Sequence, residues 1–261
     1  MRRTSIALVV ALASSSAMAQ AYNAPFRPIG WRSVGSLLTA GDGNAGTTWA
    51  PVTSAALEFG NVAVCVVAKD ETGGGTTDGT GNAEYTSATD AASNTWTEAY
   101  EWCNMQTGTV ANGACVAVYY TVATATLASG AAITFTFAGS TTRKAIACWE
   151  FSKGGTVSVA AGSNGLANDA ADPGSMTAAT TVARLHLFIR ASSCESNSTA
   201  YTVDTDYTTF THTSSVSDSG TAATSMGARG EFRIADESTS AASDPTYASA
   251  DCASAMVTFD E

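Results

Sequence analysis

The stretch from Gly113 to Gly155 constrains the fold more than any other part of the chain. It contains three runs with the pattern of β-strands, which cover residues 114–122, 133–137 and 145–151. The middle run alternates strictly: Ile133, Phe135 and Phe137 share one face and threonines occupy the other, as a half-buried strand requires. Its two neighbours are apolar on both faces, which indicates interior strands. We therefore predict an antiparallel meander of these three strands, joined by Ser/Gly turns.

Strand-like runs recur along the rest of the chain and are separated by turn residues. They predict about ten or eleven short strands and no amphipathic helix after residue 20. This pattern is typical of an all-β, antiparallel two-sheet sandwich of the jelly-roll or immunoglobulin-like type. A division into two domains near residues 162–180 is the alternative. Because the following run is poor in large aliphatic residues, we expect one domain over residues 20–261.

The composition limits the partners that the protein can have. Charged residues make up only 13% of the 261 residues, and the net charge is −11. A chain with so few cations lacks the basic surface that nucleic acids or anionic lipids require. Its solvated surface must therefore consist mainly of Thr, Ser, Asn and Gly.

The N-terminus has the features of an export signal over residues 1–19. Arg2 and Arg3 precede a short apolar run over residues 6–12, and Ala17-Met18-Ala19 forms a small-residue cleavage site. The apolar run is too short to span a bilayer, which takes about 20 residues. An uncleaved N-terminal strand or arm is the alternative. We expect an extended arm over residues 20–32 and a location outside the cell or on the surface of a virus particle.

Six cysteines remain after the predicted cleavage, and an even number in an exported chain suggests disulfides. Cys103 and Cys115 flank a Gly/Asn-rich connection and can face each other across a hairpin. Cys65 and Cys148 lie inside strand-like runs, where a buried free thiol is an equal alternative. No spacing typical of a zinc site is present.

Aromatic residues are the candidates for ligand binding. Trp96, Tyr100 and Trp102 occupy alternate positions of one predicted strand and would share a face, and Trp49 lies in a polar loop. Such rings can stack on sugars. The alternative is that they pack in the core of the sandwich, where aromatic side chains bury the most surface.

The residues give little support for catalysis. His186 is bracketed by leucines and is expected on a strand face, while Glu98 and Glu101 are expected on opposite faces of their strand. The pairs Asp42/Asn44 and Asp204/Asp206 lack the full spacing of a calcium loop. We therefore expect no catalytic residue, no metal site and no cofactor.

One segment carries a resemblance. An apolar strand, an acidic glycine-rich loop and Asp90-Ala-Ala-Ser-Asn-Thr-Trp-Thr97 are followed by an apolar strand, a Thr-Phe-Thr-Phe strand and an Ala-rich strand ending in Glu-Phe-Ser. This order resembles a diffuse group of β-sandwich proteins found among the structural proteins of tailed phages and among secreted bacterial surface proteins. The resemblance covers about residues 30–190. It implies a non-catalytic component, and a tight turn shaped by Asp90 and Asn94.

These observations together predict a non-catalytic structural or attachment protein. It would be a capsid decoration, tail or fibre component of a virion, or an adhesive protein of a cell surface. Its partners would be other such subunits, in a homo-oligomer that covers exposed strand edges. The alternatives are a secreted carbohydrate-binding module and, with less support, a secreted hydrolase.

Overall fold

The computed structural model describes residues 30–70, 79, 84–104, 113–160, 164–168, 175–179, 184–195, 201–210, 213–214, 225–236, 240–243, 245–247 and 252–261. The predicted export signal and residues 20–29 of the predicted arm lie outside the described residues. Strands and the turns between them make up the described part, which contains no helix.

Eight strands form the first half of the chain. They are β1 (Arg32–Asp42), β2 (Gly46–Trp49), β3 (Val62–Asp70), β4 (Tyr85–Asp90), β5 (Trp96–Asn104), β6 (Ala114–Val122), β7 (Ile133–Thr141) and β8 (Lys144–Ser152).

Eleven further strands follow, of which five have only two residues. They are β9 (Ser158–Val159), β10 (Asn164–Asn168), β11 (Met176–Ala179), β12 (Leu185–Cys194), β13 (Tyr201–Thr202), β14 (Thr208–Thr209), β15 (Thr213–Ser214), β16 (Gly227–Asp236), β17 (Ser240–Ser243), β18 (Thr246–Tyr247) and β19 (Cys252–Asp260).

The predicted all-β, antiparallel sandwich class is confirmed. The 19 described strands exceed the ten or eleven predicted, and most of them build three stacked sheets where two were predicted; β11-β17 and β13-β18 form two further sheets of two strands each. The central sheet has the order β1-β8-β3-β6-β5, and the outer sheet has the order β2-β7-β4. The C-terminal sheet has the order β10-β19-β12-β16-β14, with β15 beside β16 and β9 beside β19. In the C-terminal sheet, β12, β16 and β19 each contribute one apolar face to the core shared with the central sheet. These faces carry alanines as well as larger apolar residues.

The predicted meander of β6, β7 and β8 is wrong. β3 pairs with both β6 and β8 and lies between them, while β7 belongs to the outer sheet. The physical reason lies in the side-chain patterns. β3 is buried on both faces and so takes an interior position, whereas β7 has a single apolar face and can cover only one side of its neighbour.

Two apolar cores lie on either side of the central sheet. Towards the outer sheet, Cys65 and Val67 of β3 pack with Phe135 and Phe137 of β7. Towards the C-terminal sheet, Val64 and Val66 belong to a second core that includes Ile189, Val257 and Phe259. Alternate residues of β3 therefore serve different cores, as the two-residue period of a strand requires.

Three disulfides join neighbouring strands at directly opposed residues. Cys65–Cys148 links β3 to β8, Cys103–Cys115 links β5 to β6, and Cys194–Cys252 links β12 to β19. The described cysteines include no free thiol. The alternative of buried free thiols at Cys65 and Cys148 is therefore wrong, because β3 and β8 are direct neighbours in the sheet.

The turn between β4 and β5 is organised by one carboxylate. Asp90 Oδ1 accepts hydrogen bonds from the backbone N–H groups of Ala92 (2.9 Å) and Asn94 (3.1 Å). Asp90 Oδ2 accepts from Asn94 Nδ2 (3.0 Å) and from the indole nitrogen of Trp96 (2.9 Å). Asn94 in turn accepts from the backbone N–H groups of Thr124 and Ala125. This motif therefore shapes the tight turn that the resemblance implied.

The face of the C-terminal sheet that points away from the central sheet carries buried charged side chains. Arg190, Arg229 and Glu231 are at most 1% exposed. The carboxylate of Glu231 accepts hydrogen bonds from the hydroxyl groups of Tyr201 and Ser243 and from the backbone N–H of Asp204. Burial raises the pKa of Glu231, and the hydrogen bonds from Ser243 and from the Asp204 backbone oppose that rise.

No helix long and apolar enough to cross a membrane occurs among the residues that the structure describes.

We predict that Asp90→Ala lowers the free energy of unfolding by about 2–4 kcal/mol, because four donors lose their acceptor and Trp96 is buried. Urea unfolding of wild type and variant, followed by circular dichroism, measures the change. Glu58→Ala is the control, since the Glu58 side chain is exposed, and it should change stability by less than about 1 kcal/mol. Equal effects of the two substitutions would contradict the role assigned to Asp90.

Candidate functional site

Strand β5 carries three of the four aromatic residues predicted to bind a ligand. It forms one edge of the central sheet, and among the described residues it pairs along its length with β6 alone. Within the same described ranges, its other edge makes a single bridge, between Cys103 and Gly79. An edge strand with exposed positions is therefore the best-supported candidate for a binding surface in the described part of the chain.

A β-bulge at Ala99 changes which side chains of β5 share a face. Glu98 lies opposite Tyr119 and Tyr100 lies opposite Val118, so that Ala99 has no partner in β6. Side chains after the bulge are consequently shifted by one position relative to those before it. The predicted common face is wrong: Trp96 points towards the outer sheet, whereas Tyr100 and Trp102 point towards the C-terminal sheet.

Trp96 and Trp49 pack against the core beneath the outer sheet. Trp96 is 9% exposed, and its indole nitrogen is bonded to Asp90. Trp49, which was expected in a loop, lies in strand β2 opposite Phe135 and is half-buried. Neither ring is placed beside Tyr100 or Trp102, so the four predicted residues form no common platform.

Tyr100 and Trp102, both in β5, form an aromatic pair with each other. Their rings are parallel to within 5°, with centroids 6.4 Å apart, and both side chains are half-buried at the edge of the core between the central and C-terminal sheets. Gly165 of β10 faces the Trp102 indole so closely that a Cβ atom there would come within 2.0 Å of the ring. Trp102 therefore supports the packing of β10.

The other face of β5 carries two carboxylates that the bulge brings to the same side. Glu98 and Glu101 were predicted on opposite faces; that prediction is wrong, since they oppose Tyr119 and Ala117, which share a face of β6. Glu98 accepts a hydrogen bond of 2.8 Å from the Tyr119 hydroxyl. Glu101 accepts from the backbone N–H groups of Glu84 and Tyr85.

Burial is the main influence on the acidity of these groups. It raises the pKa of Glu98 and of Glu101, while the hydrogen bonds that each carboxylate accepts oppose the rise. Burial and the neighbouring Glu98 carboxylate also raise the pKa of Tyr119. Glu98 is hydrogen-bonded to Tyr119, and Glu101 is hydrogen-bonded to the backbone at the start of β4. These contacts of the two carboxylates stabilise the fold.

Two buried lysines lie in the same row of the central sheet as the Cys103–Cys115 disulfide. Lys69 and Lys144 are directly opposed on β3 and β8, and each is fully buried. Lys69 pairs with Glu84 at 2.5 Å, and Lys144 pairs with Asp42 at 3.1 Å. These pairs were not predicted from the sequence. The available signal was a lysine at the end of each of two apolar strands, where a buried cation requires a carboxylate partner.

The aspartates that were considered for calcium binding make other contacts in the structure. Asp42 accepts hydrogen bonds from the backbone and side-chain nitrogens of Asn44 in addition to its pairing with Lys144. Asp204 accepts from the backbone N–H of Thr205. Within the described ranges, no group of three or more His, Cys, Asp or Glu residues is arranged to hold a metal ion.

His186 is fully buried on β12, and its Nδ1 atom lies 2.5 Å from Asp260 Oδ1. The same carboxylate group pairs with Arg184 through Oδ2 at 3.0 Å. This cluster ties the beginning of β12 to the end of β19, which lie side by side in the C-terminal sheet.

The solvent face of the outer sheet is a second exposed surface, and its described residues include no charged side chain. Thr136 of β7 lies opposite Thr48 of β2 and Ser87 of β4, and Thr134 lies opposite Thr89. In the described part of the chain, none of these five hydroxyl groups takes part in a hydrogen bond. They are therefore available to water or to an external partner.

Comparisons with protein-family models, with curated proteins and with solved structures find no match for this chain.

We predict that the Asp70 carboxyl lowers the stability of the protein as the pH rises from about 4 to about 7. Burial raises the pKa of Asp70 from 3.8 to about 7, against the opposing charges of Arg143 and Lys69. The folded state thus binds more protons than the unfolded state between about pH 4 and 7, and the stability present below pH 4 is lost across this interval. Asp70→Asn should raise the free energy of unfolding at pH 8 by roughly 2 kcal/mol, after allowance for solvent screening.

Urea unfolding at pH 4.5 and pH 8 tests this expectation, and the gain should be small at the lower pH. Asp42→Asn is the matched control, because it removes the partner of buried Lys144 and should lower stability at pH 8. A gain from Asp70→Asn that is the same at both pH values would contradict the protonation argument.

Proposed function

We propose that the protein is a non-catalytic structural or attachment protein, exposed on a cell surface or a virus particle. The observation that carries the proposal is the set of three buried disulfides, each between directly opposed residues of neighbouring strands. Disulfides of this kind form and persist in oxidising surroundings, outside the cytosol. They suit a rigid body that presents a surface.

The surface that such a body would present supports the same proposal. In the part of the chain that the structure describes, the solvent face of the outer sheet carries hydroxyl groups and no charged residue, although the chain has a net charge of −11. Neighbouring subunits of high negative charge repel each other. An uncharged face allows close approach to another subunit or to a neutral partner without bringing carboxylates together.

Fractionation tests the location. Antibody detection and mass spectrometry of culture medium, washed cell surface, cytosol and purified virus particles should find the protein in the surface or particle fraction. A protein that occurs only in the cytosol, with its cysteines reduced, would contradict the proposal. N-terminal sequencing of the same material tests the separate expectation that the mature chain begins at Gln20.

A carbohydrate-binding module is the second candidate, and the Tyr100–Trp102 pair is the observation that favours it. Parallel aromatic rings at the edge of a sheet provide flat surfaces on which a sugar can stack. We predict that Tyr100→Ala weakens retention on a binding polysaccharide at least tenfold if this function is correct. Tyr100 is preferred to Trp102 for the test, because Trp102 supports β10.

Affinity electrophoresis in gels that contain a panel of soluble polysaccharides measures the retention. Trp49→Phe is the matched control, since Trp49 lies beneath the outer sheet and far from this pair in the sheet order. Failure of the wild-type protein to be retarded by any polysaccharide, or equal retardation of the Tyr100→Ala variant, would remove the carbohydrate hypothesis and leave the structural one in place.

A further inference from the structure

A lysine and a glutamate lie in close contact at one end of the core beneath the outer sheet. The Lys69 ammonium nitrogen is 2.5 Å from Glu84 Oε2, and both side chains are fully buried. The side-chain carboxyl carbon of Glu84, Cδ, is one C–O bond of about 1.2 Å from Oε2. It therefore lies no more than about 3.7 Å from the lysine nitrogen. This separation is close to the 3–3.5 Å or so at which reacting atoms are positioned for bond formation.

Neighbouring contacts hold the two side chains in this arrangement. Lys69 Nζ also donates to the backbone carbonyl of Asp70 at 2.8 Å. Glu101 accepts hydrogen bonds from the backbone N–H groups of Glu84 (3.1 Å) and Tyr85 (3.3 Å), which fixes the backbone that carries Glu84. The Tyr85 hydroxyl donates to the backbone carbonyl of Val67, two residues before Lys69. The start of β4 is therefore fastened above the end of β3.

We propose that Lys69 and Glu84 form an intramolecular isopeptide bond, which covalently joins β3 to the beginning of β4. The proposal goes beyond the proposed function, because it concerns a modification of the chain that is independent of any partner. The bond would add a fourth covalent crosslink to the three disulfides. Unlike them, it would be insensitive to reductants.

The reaction is a condensation that needs no further reactant. A proton passes from the Lys69 ammonium group to the Glu84 carboxylate, which leaves a neutral amine beside a carboxylic acid. The amine lone pair attacks Cδ, a C–N bond forms, the C–OH bond breaks, and the nitrogen proton leaves with the hydroxyl group as water. The product is one amide and one water molecule, with no change in oxidation state.

Burial favours the product in two ways. A fully buried ion pair carries a desolvation cost for both charges, and an uncharged amide removes both of them. The fold also holds the two groups together, which replaces a bimolecular reaction by an intramolecular one with an effective concentration that can reach about 10⁵ M or more. The buried amide would in turn be shielded from hydrolysis by water.

The second lysine pair provides an internal comparison. Lys144 is also fully buried, but its nitrogen is 3.1 Å from Asp42 Oδ2, and the Asp42 side chain is 18% exposed. Oδ1 of the same carboxylate is engaged by two nitrogens of Asn44. Water can solvate this carboxylate, and we expect Lys144–Asp42 to remain an ion pair.

Mass spectrometry of the full chain, expressed, purified, reduced and alkylated, tests the proposal. The intact mass should be lower than the mass of the alkylated sequence by about 18 Da, the mass of one water. Trypsin provides the location. Arg32, Lys69 and Arg143 are consecutive tryptic sites, so an acylated Lys69 leaves residues 33–143 as one peptide with an internal crosslink. Without the bond, trypsin yields residues 33–69 and 70–143.

Two conservative variants complete the experiment. Lys69→Arg keeps a cation beside Glu84 but removes the nucleophilic amine, and it should restore the full sequence mass. Lys144→Arg should retain the loss of one water. A wild-type chain with the full sequence mass and normal cleavage after Lys69 would overturn the proposal. So would a loss of water that persists in Lys69→Arg or disappears in Lys144→Arg alone.

Discussion

Burial of the central sheet on both faces is the constraint on which the rest of the structure depends. Strands β3, β6 and β8 are apolar over most of their length and buried on both faces, so each face must be covered by another layer. The outer sheet covers one face and the C-terminal sheet covers the other. Full burial of a Val, Leu, Ile or Phe side chain contributes about 1.5–3 kcal/mol, which makes this the largest favourable term in the fold.

The same burial determines where polar groups can be placed. Charged residues of the interior strands β3 and β8 lie towards the ends of these strands, where Lys69, Lys144 and Glu150 are paired or hydrogen-bonded. Lys69 and Lys144 meet carboxylates at one end, and Glu150 accepts from Asn61 and from the Glu58 backbone N–H at the other. These contacts satisfy groups that would be costly to bury alone. They also make the strand ends the most chemically distinctive parts of the sheet, and the proposed isopeptide bond lies at one of them.

The candidate surfaces occupy the parts of the molecule that this burial leaves free. They are the edge strand β5 and the solvent face of the outer sheet. The bulge at Ala99 allows β5 to direct carboxylates to one side and the Tyr100–Trp102 pair to the other. The outer sheet exposes hydroxyl groups without charge. A rigid disulfide-linked body with such surfaces is consistent with a protein that presents a surface to partners, as we propose.

The sequence by itself determined the all-β class, the interior character of β3 and the one-sided burial of β7, because an apolar side chain every second residue reports directly on which faces of a strand are covered. It also indicated that Cys103 and Cys115 could face each other, since a short connection limits the choice. Only the tertiary structure decided that β3 lies between β6 and β8, that Lys69 forms an ion pair with Glu84, and that the side chains of Tyr100 and Trp96 lie on opposite faces of β5. These features depend on which strands become neighbours and on a single unpaired residue at Ala99, and neither long-range pairing nor a one-residue bulge leaves a periodic signal in the chain.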